Sequence, residues 1–249
     1  MPTARRLMIA QEKELDCVEK AISESKKTEP NSGWWTIPGK KCAAAFNSKG
    51  AVNYKQSKVD LTGREYNLFD IPSELCTWSN SDGWGFANGK ALRSNIVPRD
   101  IPIFSMFVVF DTKSAPNIWQ LILACNRGVQ MRLKLPGFVY IKQPGSSLTI
   151  AQNVTKTSAH CFGGSVNTPI FDGVDVTSGI IHGSGADAEP FPDTVVPIAI
   201  GASNDAIYKC GIHPATTRSG ILYIHSFAFY YAQTTIAEGI ALSSRMLAL

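Results

Sequence analysis

The sequence predicts a mainly β protein, an antiparallel β-sandwich with a short helix near each end. From residue 34 onward, apolar runs of strand length recur every 8–12 residues, and turns rich in Gly, Pro and Asn separate them. No helical periodicity alternates with these runs. The composition agrees, because 44% of the 249 residues are hydrophobic and only 18% are charged. A chain of this length can bury one large core.

Residues 1–33 are expected to form an N-terminal helix that serves assembly or docking, and residues 34–249 the sandwich domain. The helix is predicted by apolar side chains on one helical stripe: Met8, Leu15, Val18 and Ile22. Pro30 and Gly33 end the pattern. Two interpretations stay open, a helix that packs on its own domain and a short coiled-coil seam that gathers several chains.

The predicted strands begin with a hairpin, in which residues 41–46 and 51–54 flank an Asn-Ser-Lys-Gly turn. A nearly continuous apolar run over 103–110 indicates a central strand that is covered on both faces. In residues 129–135, apolar and polar side chains alternate, which predicts one face on the core and one in water. The other expected strands cover residues 118–125, 138–142, 195–202 and 220–232.

The chain is expected to end in a short helix. Thr235 and Glu238 have the spacing of a capping box, in which each side chain bonds the backbone of the other residue. Ile236, Ile240 and Leu247 follow on a compatible face, as a helix requires.

Charge and hydropathy exclude several classes of protein. The net charge is only +4, and the Lys and Arg residues are scattered, so we expect no nucleic-acid partner. No segment is long and apolar enough to insert in a membrane. The apolar stretch over residues 7–10 is too short for a signal-peptide core, so synthesis in a cytoplasm is expected. The six cysteines include no Cys-x-x-Cys pair, and we expect them to be reduced and structural.

The pattern of apolar strands, Gly-containing segments and a final helix start in residues 80–249 resembles that of concanavalin A-like (laminin-G-like) lectin/glucanase jelly rolls. The resemblance rests on the segments 82–89, 103–111, 120–128, 198–205, 220–230 and 235–240. It implies a jelly-roll topology. Domains of this family often sit on phage tail fibres, tail spikes and other virion surfaces, and many bind glycans.

By this resemblance, the chain is expected to be a virion-associated, phage tail or fibre-like attachment protein that recognises a host surface glycan. Its localisation is then the virion, and its partners are other virion proteins, reached through the N-terminal helix, and further copies in a homo-oligomer. One alternative is a purely structural virion component without a ligand, such as a decoration, collar or baseplate protein. The second alternative is a carbohydrate-active enzyme.

We expect no enzymatic activity. The hydrolases of this family carry paired Glu residues on one strand, whereas the predicted strand interiors here contain no Glu. No Gly-x-Ser-x-Gly motif and no phosphate-binding motif occurs. His225 lies inside the longest predicted strand, where a hydrogen-bonded structural histidine is expected.

The predicted glycan-binding residues are Trp78, Asn80, Asp82 and Trp84. Two indoles in a polar, Gly-containing stretch could offer apolar platforms beside amide and carboxylate groups, as sugar rings require. The alternative is that these indoles close the end of the core. The same two interpretations apply to Trp34 and Trp35.

No cofactor is expected, although calcium is considered because four oxygen-bearing side chains lie in predicted loops: Asp172, Asp175, Asn204 and Asp205. The alternative is that these residues form ordinary Asx turns.

Overall fold

The protein is seen in a computed structural model that describes residues 33–71, 76–86, 90–97, 105–114, 119–125, 129–134, 137–143, 146–152, 154, 158–184, 197–201, 204–205, 211–212 and 221–249. Nearly all of these belong to the second of two units into which the chain divides, Trp34–Leu249. The helix expected within residues 1–33 lies outside the described residues and stays a prediction.

The described residues form short strands in quick succession, with two helices and one 3-10 turn among them. In chain order they are β1 (Cys42–Asn47), α1 (Tyr54–Ser57), β2 (Leu68–Asp70), β3 (Thr77–Ser79), β4 (Gly83–Phe86), β5 (Leu92–Ser94), β6 (Ser105–Ser114), β7 (Trp119–Cys125), β8 (Val129–Lys134), β9 (Phe138–Gln143), β10 (Ser146–Ala151), β11 (His160–Gly164), β12 (Ile170–Phe171), β13 (Val174–Asp175), the 3-10 turn (Thr177–Gly179), β14 (Ile180–Ser184), β15 (Ala199–Ile200), β16 (Asn204–Asp205), β17 (Gly211–Ile212), β18 (Ile221–Tyr230) and α2 (Ile236–Leu247).

The strands form two sheets that face each other, which confirms the predicted β-sandwich. Sheet I has the order β13-β12-β11-β6-β18-β4-β3, and β1 also pairs with β18. Sheet II has the order β14-β10-β9-β8-β7-β15-β5-β2, with β16 and β17 attached beside β7. The pairings described are antiparallel except for the contact of β16 with β7. In the part of the chain that the structure describes, β3 and β2 end their respective sheets.

Strand β18 lies inside sheet I, and its side chains point alternately into two hydrophobic cores, one on each face of the sheet. Phe227 and Phe229 belong to the core between the sheets, while Ala228 and Tyr230 belong to a second core on the outer face of sheet I. The predicted central strand over 103–110 is found as β6, which lies between β11 and β18. Met106, Val108 and Phe110 of β6 lie in the core between the sheets, and Phe107 and Val109 lie in the second core, so both faces of β6 are covered, as its continuous apolar run requires.

Helix α2 covers the outer face of sheet I. Its capping box is present as predicted, because the Thr235 hydroxyl accepts from the Glu238 backbone and the Glu238 carboxylate accepts from the Thr235 backbone. The buried stripe of α2 is Gly239, Leu242, Ser243 and Met246. Ile236 and Ile240 are partly buried against the second core, whereas Leu247, the last residue of the helix, is 37% exposed.

The prediction of a hairpin over residues 41–54 is wrong. Strand β1 pairs with β18, more than 170 residues away in sequence, and residues 54–57 form α1. Asn53 begins that helix, since its side chain accepts a hydrogen bond from the Gln56 amide. Local turn composition suggested a hairpin, but burial of the first five residues of β1, all of them hydrophobic, outweighs it in the pairing with β18.

Three described cysteines, Cys42, Cys76 and Cys161, are buried free thiols. Burial raises the pKa of both Cys42 and Cys161 to about 12. No helix in the described part of the chain is long and apolar enough to span a membrane.

Candidate functional site

The site predicted from the sequence lies on the β3–β4 hairpin, at the end of sheet I. Trp78 pairs with Trp84, and Ser79 pairs with Gly83, so residues 80–82 form a three-residue turn. Gly83 has a φ of +77°, and a Cβ atom there would lie 2.5 Å from the Ile224 carbonyl oxygen. The turn therefore requires glycine at this position, both for its conformation and for its close approach to β18.

Trp78 is only partly buried, and it borders the core between the sheets. Its indole nitrogen donates to the Ser48 carbonyl at 3.0 Å, which fixes the orientation of the ring. The Tyr54 ring lies beside it, with the two ring centroids 6.2 Å apart. These two rings form an aromatic surface that is partly open to solvent, which we call the Trp78 surface.

Tyr54 is held by a polar network that joins α1 to β2. Its hydroxyl donates to Asp70, and the Cys76 sulfur lies 3.4 Å from the same oxygen. The Lys58 ammonium forms a 2.5 Å ion pair with Asp70 and lies 4.0 Å from the centroid of the Tyr54 ring. Since Tyr54 contacts both Trp78 of β3 and Asp70 of β2, the Trp78 surface lies where the terminal strands of the two sheets meet.

The network changes the acidity of its members. Burial, followed by the hydrogen bond to Asp70, raises the pKa of the Tyr54 hydroxyl. Burial also raises the pKa of the Cys76 thiol. For Asp70, burial favours a higher pKa, but the hydrogen bonds from Lys58 and Tyr54 and the Lys58 charge outweigh it, so the pKa is lowered. Asp70 therefore stays ionised and Tyr54 stays protonated at neutral pH.

Asn80 and Asp82 form the polar rim of the Trp78 surface. Asn80 is exposed, and its amide donates to the Ala51 carbonyl at 2.9 Å. One Asp82 carboxylate oxygen accepts from the Ser79 hydroxyl at 2.9 Å and from the Ser81 hydroxyl at 3.3 Å. The Asp82 carboxylate therefore stabilises the turn in which it lies. The backbone of Asn80 also contacts loop 48–53, because its carbonyl oxygen accepts from the Gly50 amide at 2.8 Å.

Trp84 is a core residue. Its side chain is 0% exposed, it lies against Phe227, and its indole nitrogen donates to the Ser57 hydroxyl at 2.9 Å. No sugar ring can reach it in this fold, so the core interpretation applies to Trp84. Of the two predicted platforms, only Trp78 has a face near solvent.

Trp34 and Trp35 also have mainly a packing role. Their rings meet edge to face with centroids 5.6 Å apart, and both pack against the core beneath α2. The Tyr230 hydroxyl donates to the Trp35 carbonyl at 2.6 Å, which anchors this segment to β18.

The residues considered for calcium have structural partners where they are described. Asp172 accepts from the Cys161 amide and lies 2.6 Å from His160 Nδ1. Asp175 accepts from the Thr177 amide at 2.9 Å, which is an Asx turn. The side chains of Asn204 and Asp205 lie outside the described set. Among the described residues, no group of three or more His, Cys, Asp or Glu side chains is arranged to hold a metal.

His225 is the structural histidine that the sequence predicts. It is 5% exposed within β18, and its Nε2 lies 3.1 Å from an Asp111 carboxylate oxygen on β6. A register shift in the pairing of β18 with β6 falls at this residue, and its contact with Asp111 links the two strands there.

Sequence reasoning missed Tyr54, Lys58 and Asp70. They lie 8 to 24 residues before Trp78, and no motif or spacing connects them to it. They meet Trp78 only because loop 48–53 and α1 fold against the β3–β4 hairpin. A sequence signal was therefore absent for half of the site.

No family model and no curated protein matches this chain. It is similar in structure to botulinum neurotoxin type C, which depends on interaction with two ganglioside molecules to enter cells (TM-score 0.55, 10% identity). It is also similar to the binding domain of serotype G (TM-score 0.53, 9% identity). A third similar structure is the binding domain of botulinum neurotoxin DC in complex with SialylT (TM-score 0.53, 10% identity).

Each of these similarities covers 82% of this chain and 51% of the neurotoxin chain. This chain therefore spans about half the length of the chains that it matches. At such identities the likeness shows the fold alone, a β-sandwich of the kind found in these binding domains.

Proposed function

We propose that this chain is a glycan-binding attachment protein and that the Trp78 surface is its binding site. The observation that carries the proposal is the partly exposed Trp78 ring beside Tyr54, with the exposed Asn80 at its rim. Sugars bind proteins by laying an apolar ring face on an aromatic side chain while their hydroxyls bond to polar groups at its edge. The Trp78 surface supplies both.

The structural neighbours support this proposal at the level of the class. They are binding domains, and the neurotoxins named above interact with gangliosides or are seen with SialylT. Because only half of each neighbour is similar to this chain, ligand recognition does not transfer with the fold. The finer proposal, a concanavalin A-like attachment protein on a virion, rests on the resemblance of the strand pattern in residues 80–249. That the protein is not an enzyme is proposed from the predicted strand interiors, which contain no Glu, and from the missing Gly-x-Ser-x-Gly motif.

A structural component without ligand is the second candidate function. It is favoured by hydrogen bonds of the predicted residues: Trp78 and Asn80 bond to loop 48–53, and Asp82 bonds within its own hairpin. The first two bonds fasten loop 48–53 to β3 and its turn, which is a structural role. The two functions differ in what removal of the Trp78 ring does to ligand binding.

The test compares glycan binding by the purified chain and by three variants on a glycan array and on host-cell polysaccharide. Trp78→Ala is expected to weaken binding by about 1–3 kcal/mol, the range for aromatic stacking on other planar ligands. Trp78→Phe keeps an aromatic face and is expected to retain most of the binding. Trp35→Ala is the matched control, a partly buried tryptophan elsewhere in the fold, and is expected to bind as wild type does.

Thermal melts of all variants separate loss of a platform from loss of the fold. Binding that is absent in the wild type, or equal in wild type and a folded Trp78→Ala variant, contradicts the proposed function.

A further inference from the structure

We propose that the saccharide bound at the Trp78 surface is acidic, carrying carboxylate groups that Lys49 and Lys55 bind. This inference rests on the proposed function and adds the chemical class of the ligand. It follows from which charged groups at this surface already have partners and which do not.

The carboxylates of the surface are engaged within the protein. Asp70 accepts from Tyr54 with one oxygen and pairs with Lys58 through the other. Asp82 accepts from the hydroxyls of Ser79 and Ser81. A neutral sugar is usually held by carboxylates that accept its hydroxyl protons, and here those oxygens serve the fold.

The cations of the surface are arranged differently. Lys49 lies between Ser48, whose carbonyl accepts from the Trp78 indole, and Gly50, whose amide donates to the Asn80 carbonyl. Its position is therefore fixed next to the β3–β4 hairpin. Lys55 is exposed on α1, immediately after Tyr54. Within the described residues, neither ammonium group has an ion-pair partner.

The charge balance of the described surface favours an anion. Lys58 and Asp70 form a 2.5 Å ion pair, so their charges largely cancel. What remains is Lys49 and Lys55 against Asp82, a surplus of one positive charge. A carboxylated sugar that lies on the Trp78 ring can place its carboxylate near one or both lysines, while a neutral sugar gains nothing from them.

The surface also has an exposed apolar residue, Val52, which is 81% exposed in the loop between Lys49 and Lys55. A valine between two lysines would suit an anionic lipid surface as well. We favour the saccharide because the Tyr54 and Trp78 rings are held in place and partly buried, whereas insertion into a lipid surface needs freely exposed apolar side chains. The experiment includes a lipid arm.

The experiment uses the full chain and matched oligosaccharide pairs on an array: uronic-acid or sialic-acid oligosaccharides and the same oligosaccharides after their carboxylates are reduced to alcohols. Wild type is expected to bind the acidic member about tenfold or more tightly, and a rise from 50 to 500 mM salt is expected to reduce that preference. Vesicles of phosphatidylcholine with phosphatidylserine form a separate arm.

Single substitutions test whether Lys49 and Lys55 bind the carboxylates of the ligand. Lys49→Gln and Lys55→Gln are each expected to lower affinity for the acidic member about twofold to fivefold, as for exposed ion pairs, and to leave affinity for the reduced member unchanged. Lys41→Gln is the matched control, because this exposed lysine lies over the Tyr231 ring and outside the Trp78 surface.

The outcomes separate the two proposals. Equal binding of both members, weakened by Trp78→Ala, overturns the acidic ligand and leaves the glycan function intact. A preference for the acidic member that is undiminished in both lysine variants overturns the assignment of Lys49 and Lys55. Binding to phosphatidylserine vesicles that exceeds binding to every glycan overturns the saccharide in favour of lipid. No binding to either member of any pair contradicts the proposed function itself.

Discussion

Trp78 and Trp84 are directly paired across one hairpin, yet they have different environments. Opposite residues of an antiparallel pair project to the same face of the sheet, so both indoles face the inner side of sheet I. Strand β4 has β18 on its other side, whereas β3 ends the sheet among the described residues. The position of each strand in the sheet therefore buries Trp84 and leaves Trp78 partly open.

This difference predicts unequal effects of removing the two rings. Trp84→Ala is expected to lower the free energy of unfolding by about 3–5 kcal/mol, because it leaves a large cavity and deprives the Ser57 hydroxyl of its indole partner. Trp78→Ala is expected to cost about 1–2 kcal/mol, since part of its surface stays in water. Urea or thermal unfolding of both variants gives the comparison. Equal losses would mean that Trp78 is as much a core residue as Trp84.

The residues of the site were predictable only in part. The sequence indicated an aromatic, polar hairpin at residues 78–84, because two tryptophans beside Asn, Asp and Gly are unusual in a core strand. It could not indicate which indole is buried, since that depends on the strand order of sheet I. Nor could it indicate Tyr54 or Asp70, which reach the site through tertiary packing alone.

Helix α2 shows what local patterns can and cannot predict about an element. The helix start depends only on hydrogen bonds between two side chains and two backbone amides of Thr235 and Glu238, so the sequence predicted it correctly. Its buried face depends on how closely it approaches the sheet. The sequence pattern placed Ile236, Ile240 and Leu247 on one face but did not indicate Gly239, which approaches sheet I so closely that a Cβ atom there would lie 2.8 Å from Ile170 Cγ1.

This close approach gives a prediction for α2. In an isolated helix, Gly→Ala stabilises by roughly 1 kcal/mol. Here Gly239→Ala is expected instead to lower the free energy of unfolding by about 1–3 kcal/mol, because the added methyl group meets a fully buried side chain. Ser244→Ala, on the exposed side of the same helix, is expected to change it by less than about 0.5 kcal/mol.

Chemical denaturation measures both changes. The double variant Gly239→Ala/Ile170→Val removes a methyl group from the facing side chain and is expected to recover part of the loss. Stabilisation by Gly239→Ala alone would show that α2 is not held so closely to sheet I.

Strand positions were more predictable than strand pairing. The runs that became β6, β7, β8, β9 and β18 are apolar or alternating over strand length, and they were all indicated by the sequence. The partner of β1 was not, because antiparallel pairing to β18 joins the two ends of the domain. Turn composition near Asn47 favoured a local hairpin, whereas the actual pairing buries Cys42–Phe46, with the Phe46 ring against Phe227.

For the whole molecule, the class of fold follows from periodicity and turn spacing, and function does not. Two facing sheets with β18 at the centre of one are the arrangement that many apolar runs separated by turns require. The similar neurotoxin domains share this sandwich at 9–10% identity, so the fold constrains the chemistry of the surface very little. Function therefore has to be argued from the Trp78 surface.

The predicted role of residues 1–33 is also a property of the whole molecule. If the Met8, Leu15, Val18 and Ile22 stripe gathers chains, deletion of residues 1–29 is expected to leave a folded β domain that sediments as a smaller species. Sedimentation velocity and circular dichroism of both chains measure this. A full-length chain that is monomeric at all practical concentrations contradicts assembly through this segment.

The central claim is that a glycan lies on the Trp78 ring, and the indole N–H signals of the five tryptophans test it most directly. In a ¹⁵N–¹H correlation spectrum, each tryptophan contributes one indole signal, and Trp78→Phe identifies that of residue 78. Addition of the oligosaccharide that binds best on the array is expected to shift the Trp78 signal in a saturable manner and to leave that of the buried Trp84 in place. Saturable binding that leaves the Trp78 signal unmoved would contradict the claim and place the ligand elsewhere on the sandwich.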